Sequence, residues 1–311
     1  MQDFMPFFRK DMAIVKWADE QEMVERIEGG EQLWDIEEMT PEYFRLATQI
    51  VLMQADSEFA GAYGYNGLVP IIQGYSLEEM LIVSETAYEE FGHAMRCFRI
   101  LEEMGFDANR WVRTHGWLYR WRMEEHETFA GLGRRPTNDC RVNIFYYPLM
   151  IPDDFSRFAR LARIHTAIRF AVFQFLQDRG AGVQLKDALI SSFGPWAQEN
   201  YEIMLEEQDH LKHGEKKLAE LRREHTELVD QEIKLWLPRA IATFGKPHSK
   251  FDDQLRKYRI TSRTHEEKLR DFFDGDEGIH TANERSNIGL ALPSTEEILV
   301  MWRAGDYLKT I

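Results

Sequence analysis

The stretch Glu90-Phe91-Gly92-His93 has a counterpart in Glu207-Gln208-Asp209-His210, and both are Glu-x-x-His motifs inside segments with helical periodicity. A spacing of three residues places the carboxylate and the imidazole beside each other on one helix face. In four-helix bundles that hold two metal ions, two helices each supply such a motif and the other two each supply a further carboxylate. The two motifs therefore predict four long helices around a pair of metal ions.

The first helical hairpin is predicted over residues 41–104. Thr40-Pro41 suits a helix start, because threonine can cap free backbone amides and proline fits the first turn. We expect this helix to end near residue 62, where glycines accumulate. Ser76-Leu77-Glu78-Glu79 has the pattern of a capping box and opens the second helix. Glu90 falls in the apolar row of that helix, and a carboxylate facing a core is costly unless it is paired or binds metal.

A second hairpin is predicted over residues 153–225, with a break at Gly194-Pro195 between its two helices. Asp178 extends the apolar row of the first of these helices. Glu207 and His210 lie one turn apart on the second. The chain therefore reads as two helical hairpins of similar design.

Antiparallel packing would bring the carboxylates of each hairpin together. Glu58 lies about as far before its connecting loop as Glu90 lies after it, and Asp178 and Glu207 flank the Gly194-Pro195 break in the same way. We therefore expect six metal ligands: Glu58, Glu90, His93, Asp178, Glu207 and His210. Mixed carboxylate and imidazole ligation favours iron, with manganese as an alternative. Surface ion pairs are the competing interpretation, which a duplicated motif in apolar rows disfavours.

The residues next to these ligands are predicted to have lesser roles. Glu89, Glu206 and Asp209 are expected to point away to solvent, with Asp209 as the one candidate for supporting a ligand. His165 is expected to be a packed histidine and His213 a surface one.

The composition fits a soluble protein of a reducing compartment. The chain has 311 residues, of which 44% are hydrophobic, enough for a sizeable core. Cys97 and Cys140 lack the spacing of a disulfide framework or thiolate metal site, so both are predicted to be free thiols. The N-terminus lacks a signal pattern and no apolar run approaches the ~20 residues of a membrane span, so we expect a cytoplasmic protein. The net charge of -15 disfavours nonspecific binding to nucleic acid or membranes.

Several blocks of the sequence resemble those of one family. They are Ser57-Glu58, Glu90-x-Gly92-His93, Ile144-Phe145-x-Tyr147-Pro148, Phe175-Leu176-x-Asp178, Phe193-Gly194-Pro195 and Glu206-Glu207-x-x-His210. Trp236-x-Pro238, Phe244-Gly245 and the basic stretch 257–263 extend the likeness. Together they resemble the catalytic subunit of bacterial phenylacetyl-CoA epoxidase, a ferritin-like di-iron oxygenase component. The resemblance implies the same six iron ligands.

The resemblance also implies a multicomponent monooxygenase. Two iron ions, with a manganese–iron pair as an alternative, would activate O2, and one oxygen atom would pass to an organic substrate. The expected small-molecule substrate is an aromatic acyl-CoA thioester, which would be epoxidised or hydroxylated. A separate reductase would supply electrons, and a second, metal-free ferritin-like subunit would stabilise the catalytic one within a homo- or hetero-oligomer.

Two other functions stay open on this evidence. The chain could be a ferroxidase or iron-handling ferritin-like protein, or a non-catalytic structural subunit of an oxygenase complex. The expected architecture is the same for all three: an all-α, ferritin-like four-helix bundle over residues 41–225, an N-terminal arm over 1–40 and a C-terminal helical extension over 226–311. Residues 106–152 form an insertion, expected to be a short helix followed by a covering loop that is either a packed surface excursion or part of a substrate pocket.

Overall fold

The structure is a computed structural model that describes residues 4–9, 15–68, 76–114, 164, 167–245, 247 and 249–305. Within these residues there is no β-strand, and two isolated bridges, Phe8 with Phe106 and Leu33 with Phe193, are the only β pairings. The predicted all-α class is therefore confirmed. The helices are α1 (Glu20–Glu28), α2 (Pro41–Leu68), α3 (Leu77–Glu103), α4 (Ala108–Thr114), α5 (residues 167–188), α6 (Gly194–Glu224), α7 (Thr226–Ala242), α8 (Lys250–Lys257), α9 (His265–Asp274), α10 (Ile279–Arg285) and α11 (Thr295–Ala304).

The predicted starts of three bundle helices are confirmed. Thr40 Oγ1 accepts a hydrogen bond from the backbone N–H of Tyr43 at 3.2 Å, and Pro41 occupies the first turn of α2. Ser76 Oγ accepts from the N–H of Glu79 at 3.0 Å at the start of α3. Helix α6 begins at Gly194, with a proline in its first turn.

The predicted end of α2 near residue 62 is wrong, because the helix continues to Leu68. Its last turns include Gly61, Gly64 and Gly67. Glycine weakens a helix interior by only about 1 kcal/mol relative to alanine, so a cluster of glycines does not by itself end a helix that packs along a neighbour. Here α2 packs along the length of α3.

Helices α2, α3, α5 and α6 form the bundle: α2 packs on α3, α5 on α6, and α3 on α6. The α3–α6 pair is antiparallel, as two ion pairs between the helices show. Glu79 near the start of α3 contacts Lys217 near the end of α6 at 2.5 Å. Arg96 near the end of α3 contacts Glu199 near the start of α6 at 3.0 Å. None of the helices in the described part of the chain is long and apolar enough to cross a membrane.

The residues before α2 pack on the bundle. The backbone N–H of Leu33 donates to the carbonyl of Ser192 at 2.7 Å, and the N–H of Gly194 donates to the carbonyl of Leu33 at 2.9 Å. A Cβ at position 194 would overlap the ring of Trp34, so only glycine fits at this contact. The arm is thereby attached to the first turn of α6.

The helices after residue 225 share a hydrophobic core with α5. Phe173 and Phe175 of α5 are buried in the same cluster as Phe244, which follows α7, and as residues of α7, α9 and α11, namely Trp236, Phe272, Phe273 and Trp302. Arg179, which is 1% exposed, joins this core to α6 through a 3.3 Å contact with Glu215. Glu215 in turn accepts a hydrogen bond from Arg285 of α10 at 2.7 Å.

The insertion is seen in part. Helix α4 is the short helix predicted at its start, and Trp111 Nε1 attaches α4 to α2 by donating to Asp56 Oδ1 at 2.9 Å. Residues 115–163 lie outside the described part, and with them the predicted covering loop, Cys140, the Ile144–Pro148 block and the predicted start of the third bundle helix. His165 lies outside it as well. The domain boundaries at 40 and 225 stay predictions.

Candidate metal centre

The four bundle helices bring acidic and histidine side chains together in the interior. Two groups have ligand atoms that all lie within 4.8 Å of one another. The first contains Glu58 of α2 with Glu90 and His93 of α3, and the second contains Glu90 with Glu207 and His210 of α6. Each of these five residues is at most 4% exposed. Glu90 belongs to both groups, so its carboxylate occupies the position from which it could bridge two ions.

Asp178, the sixth predicted ligand, is 1% exposed but belongs to neither group. It ends a π-helical turn, Gln174–Asp178, that interrupts α5. Such turns insert one residue into an α-helix and are frequent at functional sites. The negative charge of Asp178 adds to the causes that raise the pKa of His210, the histidine of the second group. The apolar row in the sequence, with its spacing of four, predicted the helix. It could not predict the residue that the π-helical turn inserts.

The two histidines are held in a crossed arrangement between α3 and α6. His93 Nε2 lies 2.8 Å from Glu206 Oε2, and His210 Nε2 lies 2.7 Å from Glu89 Oε2. A carboxylate can only accept, so we assign the proton of each neutral imidazole to Nε2. Each Nδ1 therefore presents a lone pair toward the interior. This pattern of carboxylate, imidazole and inward nitrogen is the usual support of a metal-binding histidine.

The buried histidine and glutamate atoms that face the interior are better placed to bind a metal ion than to hydrogen-bond to one another. His93 Nδ1 lies 3.5 Å from Glu207 Oε1, and His210 Nδ1 lies 3.3 Å from Glu207 Oε2. Within the described part of the chain, neither Nδ1 atom nor Glu207 Oε2 makes a hydrogen bond, although all three are buried. Buried polar atoms without hydrogen bonds are costly, and bound cations remove that cost. The donor set therefore fits two divalent ions.

The electrostatics of the centre favour charged groups despite burial. Burial lowers the pKa of both histidines, but the Glu207 carboxylate outweighs it and raises the pKa of His93 and, more strongly, that of His210. Burial raises the pKa of Glu207, but His210 and His93 outweigh it and bring that pKa well below its usual range. A carboxylate that remains ionised inside a protein attracts cations. Metal binding would displace the imidazole protons, as it does at other histidine sites.

The prediction that Glu89 and Glu206 point away to solvent is wrong. Their side chains are 35% and 37% exposed, and each accepts a hydrogen bond from the histidine on the facing helix. A signal was present in the sequence, because a glutamate directly precedes the ligand glutamate in both motifs. Periodicity alone could not show it, since the preceding position lies at the edge of the buried face.

The other two neighbours also differ in part from expectation. Asp209 is 83% exposed and pairs with Lys212 at 3.0 Å, so it faces solvent as expected and does not support a ligand. His213 is not a surface residue. Its side chain is 16% exposed, and its Nδ1 lies 2.6 Å from Oε1 of Gln174 in the π-helical turn.

Glu58 is held by a polar chain that the sequence analysis did not identify. Trp196 Nε1 donates to Gln54 Oε1 at 2.6 Å, which fixes the orientation of the Gln54 amide. The amide nitrogen then donates to Asn200 Oδ1 at 2.7 Å and to Glu58 Oε1 at 3.4 Å. Asn200 is completely buried. These contacts give one oxygen of the Glu58 carboxylate a donor whose orientation is fixed.

Cys97 lies on the buried face of α3 and is a free cysteine, as predicted. Burial raises the pKa of its thiol well above the ordinary value. A thiol that stays protonated is a poor nucleophile and a poor metal ligand. The chemistry of the centre therefore rests on carboxylates and imidazoles.

A family model described as phenylacetic acid catabolic protein matches residues 31–310, nearly the whole chain. The chain belongs to the phenylacetic acid catabolic protein family. No curated protein matches it. Phenylacetic acid catabolic proteins are subunits of a multi-subunit phenylacetyl-CoA oxygenase, so family membership agrees with the buried ligand set and with the expected resemblance. For this chain it indicates an oxygenase component that works with partner subunits.

Proposed function

We propose that this phenylacetic acid catabolic protein is the catalytic subunit of a di-iron monooxygenase. It would use O2 and electrons from a separate reductase to insert one oxygen atom into an aromatic acyl-CoA thioester by epoxidation or hydroxylation. The observation that carries the proposal is the duplicated Glu-x-x-His motif on α3 and α6, whose two histidine Nδ1 atoms both face the buried Glu207 carboxylate. A subunit without chemistry has no need of such a set.

Two ions would be held by overlapping sets of residues. Glu58, Glu90 and His93 would bind one ion, and Glu90, Glu207 and His210 the other, with Asp178 as a further carboxylate whose charge acts on His210. The four carboxylates balance the charge of two ferrous ions, so the filled site is neutral in a buried setting. When bound, the two irons supply the activation of O2 and its transfer to the substrate.

The protein residues prepare the site for this chemistry. Glu206 and Glu89 hold the Nε2 protons of His93 and His210, so that neither imidazole can turn its nitrogen away from the interior. The Gln54 amide orients Glu58 in the same way. Because the ligands are buried by four packed helices, bulk water is kept away from the reacting groups, which suppresses side reactions.

The first experiment is metal analysis followed by a single turnover. The protein is expressed in iron-replete cells, reduced without oxygen, mixed with phenylacetyl-CoA and exposed to 18O2. We expect about two irons per chain and one labelled oxygen atom in the product. Oxidation of iron without any labelled product would favour the ferroxidase function. Protein that contains no metal and does not bind added ferrous iron would favour the structural subunit.

A further inference from the structure

The two glutamates that support the histidines of the candidate centre have matching geometry. Glu206 Oε2 lies 2.8 Å from His93 Nε2, and Glu89 Oε2 lies 2.7 Å from His210 Nε2. The two side chains are also exposed to nearly the same extent, 37% for Glu206 and 35% for Glu89. Solvent therefore screens the two carboxylates about equally. A difference between the two supports has to come from neighbouring charges.

An arginine lies beside one of these two glutamates. Arg96 follows His93 by about one turn of α3, and its Nη2 lies 3.8 Å from Glu206 Oε1 while its Nη1 lies 3.0 Å from Glu199 Oε2. In the part of the chain that the structure describes, Glu89 contacts no lysine or arginine. The guanidinium partly neutralises the Glu206 carboxylate, which makes Glu206 a weaker hydrogen-bond acceptor than Glu89.

The duplicated motif shows where the asymmetry arises. Arg96 stands three residues after the histidine of the first motif, and the equivalent position of the second motif is His213. The ring of His213 is engaged elsewhere, because its Nδ1 lies 2.6 Å from Gln174 Oε1 and its Nε2 lies 3.8 Å from Glu79 Oε2. The two halves of the centre therefore share their histidine supports but differ in the charge that accompanies them.

We infer that Arg96 makes the two metal sites unequal, so that the His210 site binds the first ion and the His93 site binds the second. A carboxylate that accepts the N–H of an imidazole makes that imidazole a more basic ligand, and the effect is largest when the carboxylate keeps its full charge. Glu89 keeps its charge and Glu206 shares its own with Arg96. Arg96 acts through Glu206 and is not a ligand, so it is a positioning residue. The inference rests on the proposed function, which requires that two ions are bound.

The test is an anaerobic titration of the full, metal-depleted chain with ferrous iron in competition with a fluorescent chelator. We expect two ions per chain, bound in two steps whose affinities differ by about fivefold. His93→Ala should remove the weaker step, whereas His210→Ala should remove the tighter one. Two steps of equal affinity overturn the inference, as does a tighter step that survives His210→Ala.

Variants of the arginine then test its role. Arg96→Gln should strengthen the weaker step by about fivefold and leave the tighter step unchanged, because Glu206 regains its full charge. Arg96→Lys retains the positive charge and should keep the two steps apart. Arg99→Gln is the matched control, since Arg99 is an exposed arginine of the same helix, and it should change neither step.

The route through Glu206 is tested in a Glu206→Gln background. Arg96→Gln should have no effect there, because the carboxylate through which the arginine acts is gone. An effect that persists in this background overturns the inference. So does a second step that Arg96→Gln weakens, since the arginine would then only hold Glu206 in place. Protein that binds no iron contradicts the proposed function instead, whereas two ions of equal affinity leave that function intact.

Discussion

Two glutamates outside the predicted ligand set orient the histidines of the metal centre. Glu206 and Glu89 each bind the outward Nε2 of a histidine on the facing helix, and the Nδ1 atoms turn inward as a result. A histidine that has lost this contact can rotate about its χ2 angle and present the wrong nitrogen. The supporting residues should therefore affect metal affinity without being ligands.

Glu206→Ala is expected to lower the affinity for ferrous iron by about 10- to 100-fold, because His93 loses the acceptor that fixes its tautomer. Glu202→Ala is the control, since Glu202 is an exposed residue of the same helix. Competitive metal titration measures both variants. Equal affinities for the two would contradict the role of Glu206.

Most of the candidate centre could be predicted at the level of residues. Spacing identified Glu58, Glu90, His93, Glu207 and His210, because a charged residue inside an apolar row needs a chemical reason. Spacing could not identify Gln54 or Asn200, since amides in helices are common and their partners here lie about 146 positions apart. Hydrogen bonds between distant segments leave no periodic signal in one chain.

At the scale of elements, the contact between α5 and α6 shapes the π-helical turn that ends at Asp178. Gly214 of α6 lies against this turn, and a Cβ added there would come within 2.5 Å of the Cβ of Gln174. Its contacts with the backbone of residues 174 and 175 would be 3.1 Å. The two helices can approach this closely only because residue 214 has no side chain.

Gly214→Ala should therefore destabilise the protein by about 1–3 kcal/mol, as overpacked sites do. Gly182→Ala in α5 should instead stabilise it by about 0.4–1 kcal/mol, because a Cβ there meets only Leu211 at an ordinary 3.8 Å. Urea denaturation of both variants measures the difference. An alanine at position 214 that stabilises as much as one at position 182 would refute the close approach.

A second prediction at this scale concerns acid. Contact with His213, and also with Lys217, lowers the pKa of Glu79 from 4.5 to about 2, although burial opposes the shift. A lowered pKa contributes stability that is present above pH 4.5 and is lost as the pH falls toward 2. We expect Glu79→Gln to destabilise by about 1–2 kcal/mol at pH 7 and by less near pH 2, after allowance for solvent screening. Exposed Glu202→Gln should show no such difference when unfolding is followed at both pH values.

At the scale of the whole molecule, one hydrophobic cluster runs through the predicted boundary at residue 225. It joins α5 to α7, α9 and α11, so the bundle and the C-terminal helices bury surface in common. The sequence predicted both regions as helical. It could not predict that they share a core, because amphipathic helices show which face is buried but not against what.

A truncated chain of residues 1–225 should consequently fail to fold, because Phe173 and Phe175 of α5 would lose their C-terminal neighbours. We expect retained helical far-UV dichroism, lost near-UV dichroism and binding of a hydrophobic dye. The full chain serves as the control. Cooperative unfolding of the fragment with native near-UV dichroism would show that the boundary separates independent units.

The contacts of the buried Arg179 affect when, during synthesis, the turn that carries Asp178 can become fixed. Arg179 follows Asp178 directly and contacts Glu215, which in turn binds Arg285 of α10. During synthesis the four bundle helices leave the ribosome well before Arg285 does, so the turn that carries Asp178 lacks this indirect anchor until α10 has been synthesised. We therefore expect a nascent chain that stops before residue 285 to capture ferrous iron poorly, and iron to enter the finished protein.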